Sequence, residues 1–299
     1  MLQPPLQPML LKSRANPFNS EEYLFEIKWD GYRCIIFINN KEIYIQSRNG
    51  KNITQYFPEL TGISDQFNAK HAVIDGEICY FDKRGKPVFS KLQGRLSSGN
   101  KNIKYPVTFI AWDLLSFDRK EIYNLPLIRR KNLLSENINE NNRILLSKYI
   151  KRKGKTLYKQ AKKEDMEGIV AKKIDSPYEF KRSEYWLKIK IWKYTDTIIG
   201  GYLQDKTGLV VGKKFESNSK SPHINLQYMG KVKLALPSNM KTALFKFIPT
   251  IAVEQNPFIE KPDIKGVTWI KPTIKCQVRY TKITKHNSFR HGYAVKILL

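Results

Sequence analysis

The chain has 299 residues, enough for two hydrophobic cores and long for one. It carries 53 Lys+Arg against 27 Asp+Glu, a formal net charge of +26, which draws a polyanion from a distance and releases counterions on contact with it. Aromatic residues at 12% and apolar residues at 41% argue against a disordered basic tail; Cys34, Cys79 and Cys276 suggest neither a disulfide framework nor a zinc site, and no apolar run is long enough to span a bilayer. Prolines in Met1-Leu2-Gln3-Pro4-Pro5-Leu6 stand where a signal peptide has a basic and then an apolar run, so a soluble, cytosolic protein is expected.

In chain order, Tyr23–Lys28, Arg33–Ile38 and Glu42–Ser47 read as strands, with a turn at Asn39-Asn40-Lys41. The first joins the second through Lys28-Trp29-Asp30-Gly31-Tyr32-Arg33. A lysine titrates near ~10.4 and is normally a cation. Burial or a neighbouring cation can lower that value and expose the nucleophilic lone pair. Gly31 allows a sharp turn and close approach of the backbone to a ligand, and Arg33 is suited to hold a phosphate while Lys28 attacks it. Solvated charges on an amphipathic strand are the alternative. Ser47-Arg48-Asn49-Gly50 adds a guanidinium and a turn for a second phosphate or sugar contact.

Tyr56–Phe67 reads as a short helix, and Ala72–Tyr80 as an alternating strand with two carboxylates about a glycine, Asp75-Gly76-Glu77. A glutamate in a buried strand needs a partner, which for Glu77 is a ribose hydroxyl, a metal ion or a basic group. Pro106–Leu115 is a buried strand, in which Trp112 offers an indole for base stacking or simply fills the core. Leu127–Leu134 and Thr156–Glu164 read as helices, the latter with a basic solvent face, and Glu136–Asn142 as a polar loop. The strand Gly168–Lys173 follows Glu167, and Tyr185–Trp192 sets Lys188 and Lys190 on one strand face, where solvated edge lysines are the ordinary alternative. Cations for a polyphosphate and carboxylates for Mg2+ within one domain's length suit phosphoryl or nucleotidyl transfer.

Beyond Lys193-Tyr194-Thr195-Asp196 come the short strands Thr197–Tyr202, Gly208–Gly212, Ile224–Val232 and Cys276–Tyr280, with a helix at Asn239–Phe247. They suggest a small barrel of the oligonucleotide-binding type.

Lys28–Arg33, Ser47–Gly50, Asp75–Glu77, Trp112–Leu115, Glu167–Lys173 and Trp186–Lys190 together resemble the ordered nucleotidyltransferase motifs of ATP-dependent DNA ligases. Pro8-Met9-Leu10, Lys172-Lys173, and the stretch from Trp269-Ile270-Lys271-Pro272 through Arg290-His291 narrow the likeness to the bacterial non-homologous end-joining ligase domain, the ligase D type. The resemblance implies an α+β fold: an adenylation (nucleotidyltransferase) domain of antiparallel sheets over 1–195 and a C-terminal OB-fold barrel over 196–299. It implies Lys28 as the nucleophile that forms lysyl-AMP, Glu26 and Ile27 flanking adenine, and Trp112 stacking on it. Arg33, Arg48 and Glu77 would hold ribose and phosphates, Lys188 and Lys190 the α-phosphate, and Glu167, Glu77 and Asp30 the metal. Asp30 and Arg33 join Lys28 in the catalytic set.

ATP and Mg2+ or Mn2+ follow as cofactors, with nicked or broken double-stranded DNA and a Ku-like end-binding protein as partners. A monomer in the bacterial cytosol or nucleoid, away from membranes, is expected. The motifs are shared by RNA ligases and capping-type nucleotidyltransferases, and a non-catalytic DNA-binding relative is a further alternative. Family members commonly close the second domain with an Arg-x-Asp-Lys element that orients pyrophosphate. Here Val295-Lys296-Ile297-Leu298-Leu299 closes the chain, with Arg290 and Lys296 as the nearby cations. Substitution by one of these, slow charging with ATP, or a trimmed or divergent member are the expectations that follow. No fused polymerase or phosphoesterase domain is expected.

Overall fold

The computed structural model describes residues 2–97, 105–215 and 225–298, which form two compact units, Met1–Ile191 and Trp192–Leu299. The first contains β1 (Leu10–Ser13), β2 (Ser20–Ile27), β3 (Tyr32–Asn39), β4 (Glu42–Ser47), β5 (His71–Cys79), β6 (Thr108–Phe117) and β7 (Lys120–Glu121). It continues with β8 (Ile144–Leu146), β9 (Tyr149–Arg152), β10 (Gly168–Lys173) and β11 (Arg182–Lys190), and with helices α1 (Phe89–Ser97), α2 (Leu127–Glu136) and α3 (Gly154–Lys163). One sheet has the order β1-β11-β10-β2-β9; the other runs β4-β3-β5-β6-β7, with β8 on β6.

Side-chain alternation divides these strands between layers. In β3, Cys34, Ile36 and Ile38 join an outer core with Phe57, Leu60 and Leu134. Ile35 and Phe37 instead meet Leu24 of β2 and Trp186 of β11 in a cluster drawn from both sheets. On the far side of the first sheet, Phe25, Ile169 and Ile189 pack with Ala161 of α3. The same period therefore turns Glu26, Arg33, Asp75, Glu77, Lys188 and Lys190 to the inner side, each in phase with an inner apolar residue of its own strand.

The helix expected at Tyr56–Phe67 is instead two 3-10 segments, Thr54–Tyr56 and Pro58–Gln66, broken at Phe57 with φ −132°. Pro58 disfavours helical backbone at the residue before it, and Gly62 lowers the propensity further. The second segment still supplies the core residues Leu60 and Ile63, and Phe57 at the break is fully buried too.

The second unit contains β12 (Lys193–Leu203), β13 (Gly208–Lys214), β14 (Leu226–Leu234), α4 (Ser238–Phe247), β15 (Ala252–Val253), β16 (Val267–Ile270), β17 (Lys275–Tyr280), β18 (Lys282–Ile283), β19 (Phe289–Arg290) and β20 (Tyr293–Leu298). Ile224, expected to begin a strand, lies outside the described residues. The pairings run β13-β14-β20-β17-β12, and β12 pairs again with β13, so five strands form a circuit around Ile199, Val211, Cys276 and Val278. This is the OB-fold region. Among the described residues no helix is long and apolar enough to cross a membrane.

One buried ion pair ties α2 to β6. Arg130 and Asp113 are both 0% exposed, joined at 2.8 and 2.9 Å, and Arg130 Nη1 also donates to the Ser176 carbonyl at 2.9 Å. Breaking a buried pair leaves an uncompensated charge. Arg130→Leu is expected to lower unfolding free energy by about 3–5 kcal/mol, seen as a lower urea midpoint with little change in slope.

Candidate functional site

Lys28 leaves the end of β2 held by its backbone, its N–H donating to the Gly168 carbonyl at 2.9 Å. Its Nζ is 2.7 Å from Glu167 Oε2, and Lys190 Nζ is 3.4 Å from the other Glu167 oxygen. Glu77 reaches the same place from β5, where Oε1 accepts the Gly31 N–H at 3.1 Å. That contact requires glycine: a Cβ at Gly31 would lie 2.2 Å from the Ile78 carbonyl oxygen and 2.8 Å from Glu77 Cγ. Loop, β5 and β10 thus converge on one amine.

The electrostatics correct the expectation for Lys28. Burial alone lowers its pKa, but Glu167, Glu77 and Asp30 outweigh it and hold the ammonium above its usual range. Glu77 moves up to about 7 because burial opposes its charge more than Lys28 and Arg33 favour it. Lys188 is lowered by burial, then by the charges of Lys190, Arg182, Lys28 and Arg48. Exposed Arg48 is anchored by its N–H to the Arg33 carbonyl at 3.1 Å.

Arg33 is built in more firmly than its expected phosphate role required. Its Nε and Nη2 bind the two oxygens of Asp75 at 3.1 and 2.7 Å, and Asp75 also accepts from the Tyr178 hydroxyl at 2.9 Å. The guanidinium lies 5.4 Å from the Trp112 ring. Lys172 Nζ stands 5.1 Å from the Trp112 ring and 4.2 Å from that of Trp186. Trp112 Nε1 is buried without a hydrogen-bond partner among the described residues.

Glu26, 2% exposed, is bracketed by Lys131 at 2.6 Å and Lys172 at 3.0 Å and accepts from Ser147 Oγ at 3.0 Å. Burial works against its charge, but the two lysines prevail and lower its pKa. Burial and Lys131 bring Lys172 down to about 8 despite Glu26. The Ile27 side chain packs with Phe25 and Ala161 on the opposite face, because the alternation that turns Glu26 inward turns Ile27 outward, so only its backbone faces the side of Glu26. Asp30, Glu77 and Glu167 all act on the Lys28 ammonium, and among the described residues no three His, Cys, Asp or Glu side chains form a preformed metal cage.

Sequence reasoning did not single out Lys131, Ser147 or Tyr178. They come from a helix, a strand link and a loop with no motif spacing to mark them. Only the tertiary neighbours Glu26 and Asp75 reveal them.

These features define a two-sheet unit, mostly antiparallel with parallel pairings of β1 on β11 and β8 on β6, that carries a lysine–carboxylate centre and is followed by an OB-fold region. Residues 8–190 match the family model for the ATP-dependent DNA ligase domain, and residues 208–297 the model for the ATP-dependent DNA ligase C-terminal region. The chain belongs to the ATP-dependent DNA ligase family.

It is 28% identical to the multifunctional non-homologous end joining protein LigD of Mycolicibacterium smegmatis, across 91% of this chain and 35% of that protein. The chain thus spans about a third of the LigD protein's length. The SPbeta prophage-derived DNA ligase-like protein LigB of Bacillus subtilis is 28% identical over 95% of this chain and 96% of its own length. A solved structure of mycobacterial DNA ligase D complexed with ATP and MES superposes with a TM-score of 0.59 at 25% identity, covering 98% of this chain and 95% of that one.

A carboxyl whose folded pKa exceeds its unfolded value stabilises the fold below the unfolded pKa, and that stabilisation is lost as pH rises through the folded value. For Glu77 the window runs from 4.5 to about 7. Stability of wild type relative to Glu77→Gln is expected to fall across it by up to about 3 kcal/mol, measured by urea unfolding at stepped pH.

Proposed function

We propose that this chain seals nicks and breaks in double-stranded DNA through a lysyl-AMP intermediate, in repair by non-homologous end joining. The observation that carries the reading is Lys28 ion-paired to Glu167, with Glu77 and Lys190 at the same centre. The likeness to LigD and the match of both family models support it.

Lys28 Nζ attacks the α-phosphorus of ATP; the N–P bond forms as the bond to pyrophosphate breaks. The amine must lose its proton in this step, and Glu167 Oε2, 2.7 Å from Nζ, is an acceptor within reach. AMP then passes to the DNA 5′-phosphate, which frees Lys28, and the 3′-hydroxyl displaces AMP to join the strands.

Glu26 accepts from the adenine amino group and Trp112 supplies the stacking face, while Ile27 borders the base through its backbone. Arg33, Arg48 and Glu77 hold ribose and phosphates. Lys188 and Lys190 face the α-phosphate; burial first and then the neighbouring cations depress the Lys188 pKa, and a bound anion would offset that repulsion. Asp30 helps to keep Lys28 charged until ATP arrives.

The donor set fits a divalent cation of the Mg2+ or Mn2+ kind, since Glu77 and Glu167 both act on Lys28 and Mg2+ is commonly held by one or two carboxylates together with substrate phosphates. Glu77 and Glu167, with Asp30, would hold it, and it would neutralise phosphate charge. Three free, buried cysteines suit a reducing cytoplasm. The functional form is a monomer, with a Ku-like end-binding protein as partner on broken ends.

With α-labelled ATP, wild type is expected to acquire covalent label, faster as pH rises because Lys28 must deprotonate, and to pass it to nicked DNA. Lys28→Ala should take up none; label retained in that variant sinks the mechanism. Preference for GTP, or sealing of RNA but not DNA, would move the chain to the capping or RNA-ligase class. Joining of broken ends that a Ku-like protein stimulates tests the repair role.

A further inference from the structure

A second cationic surface lies outside the centre. Between Lys151 and Lys163 seven of thirteen residues are cationic and none is acidic. Helix α3 divides this segment cleanly: Leu157, Tyr158 and Ala161 pack on the sheet, and Lys155, Lys159, Lys162 and Lys163 are exposed on the other side. Their spacing, i, i+4, i+7 and i+8, keeps them on one helical face.

This face stands in contrast to other cations of the same unit. Lys12, Lys41, Lys148 and Arg152 each have a carboxylate partner, whereas the four α3 lysines make no ion pair among the described residues. Like charges three and four apart repel, so the stripe weakens the helix that carries it. Lys155 also stands in the first turn, where the helix dipole disfavours a cation, whereas Lys162 and Lys163 stand in the last turn, where it favours one. A polyanion relieves both penalties.

Lys155 to Lys162 spans about 10 Å of helix, which matches about three phosphates of one DNA strand. The helix covers the face of the first sheet opposite the reaction centre, so its outward stripe would engage duplex beyond the break and not the break itself. It packs on β2, which ends beside Lys28, and its chain continues within four residues to Glu167.

We propose that the outward face of α3, formed by Lys155, Lys159, Lys162 and Lys163, is a docking surface for the phosphate backbone of the duplex flanking the break. This rests on the ligase reading of the centre. The contact is electrostatic and carries no sequence information; it adds affinity and register.

The test compares wild type with a variant carrying Lys155→Gln, Lys159→Gln, Lys162→Gln and Lys163→Gln, on a nicked duplex between about 50 and 200 mM salt. The plot of log affinity against log salt is expected to flatten by about 2 to 4, near 0.9 for each phosphate no longer neutralised. Covalent labelling by ATP should persist, and four Lys→Arg changes should restore the wild-type slope. An unchanged slope in a variant that still takes label overturns the proposal.

If the glutamine variant does not fold, acetylation of wild-type lysines with and without nicked duplex decides the matter. Protection of the four lysines supports the surface, and equal modification overturns it. Failure of wild type to take label or seal DNA would instead refute the ligase reading, which the slope and the protection pattern do not measure.

Discussion

Lys28 Nζ lies 2.7 Å from Glu167 in a place where the two side chains keep only 21% and 9% of their exposure. A charge so placed must be matched by its neighbours or lose its ionisation. Glu167 has two cations on its two oxygens, Lys28 and Lys190. Glu77, facing the same amine, carries the remaining strain as a pKa moved up to about 7. The centre is therefore poised: one carboxyl stays close to neutral pH in its titration, and the amine stays protonated until its surroundings change.

The rest of the first unit holds these charges in position. Arg33 is pinned by both oxygens of Asp75, which Tyr178 also reaches. Tyr178 in turn accepts the Met9 N–H at 3.0 Å, so the N-terminal segment is tied into the same network. Glu26 is fixed between Lys131 and Lys172, and Asp113 by Arg130. Buried pairs of this kind seldom repay their desolvation over an apolar core of the same volume. Their benefit is orientation: several side chains between two sheets are each locked by more than one hydrogen bond.

Much of this arrangement was legible in the chain itself. Alternation in Tyr185–Trp192 sets Lys188 and Lys190 on one strand face, and Trp186, in phase with them, joins the cluster drawn from both sheets. Gly31 was expected to let the backbone approach a ligand; the approach it permits here is to β5, where an added Cβ would lie 2.2 Å from the Ile78 carbonyl oxygen. Expectation departed from structure where a local signal competed with a neighbour. Pro58 and Gly62 turned a helix into 3-10 segments. Ile27 followed Glu26 in sequence but took the opposite face. The strands Val267–Ile270 and Tyr293–Leu298 went unread; the first pairs with β12 far back in the chain and the second with nearby β17.

By itself the sequence determined most element types of the first unit, the faces that strand side chains take, and the ordered motifs that place the chain among ATP-dependent ligases, because these depend on local period and residue chemistry. Only the tertiary structure decided that Lys28 is more basic than a free lysine, that Arg33 is bound by Asp75, and that Lys131 and Tyr178 belong to the site. The reason is distance. Ionisation depends on charges within a few ångströms, and Glu167 reaches Lys28 from 139 residues away.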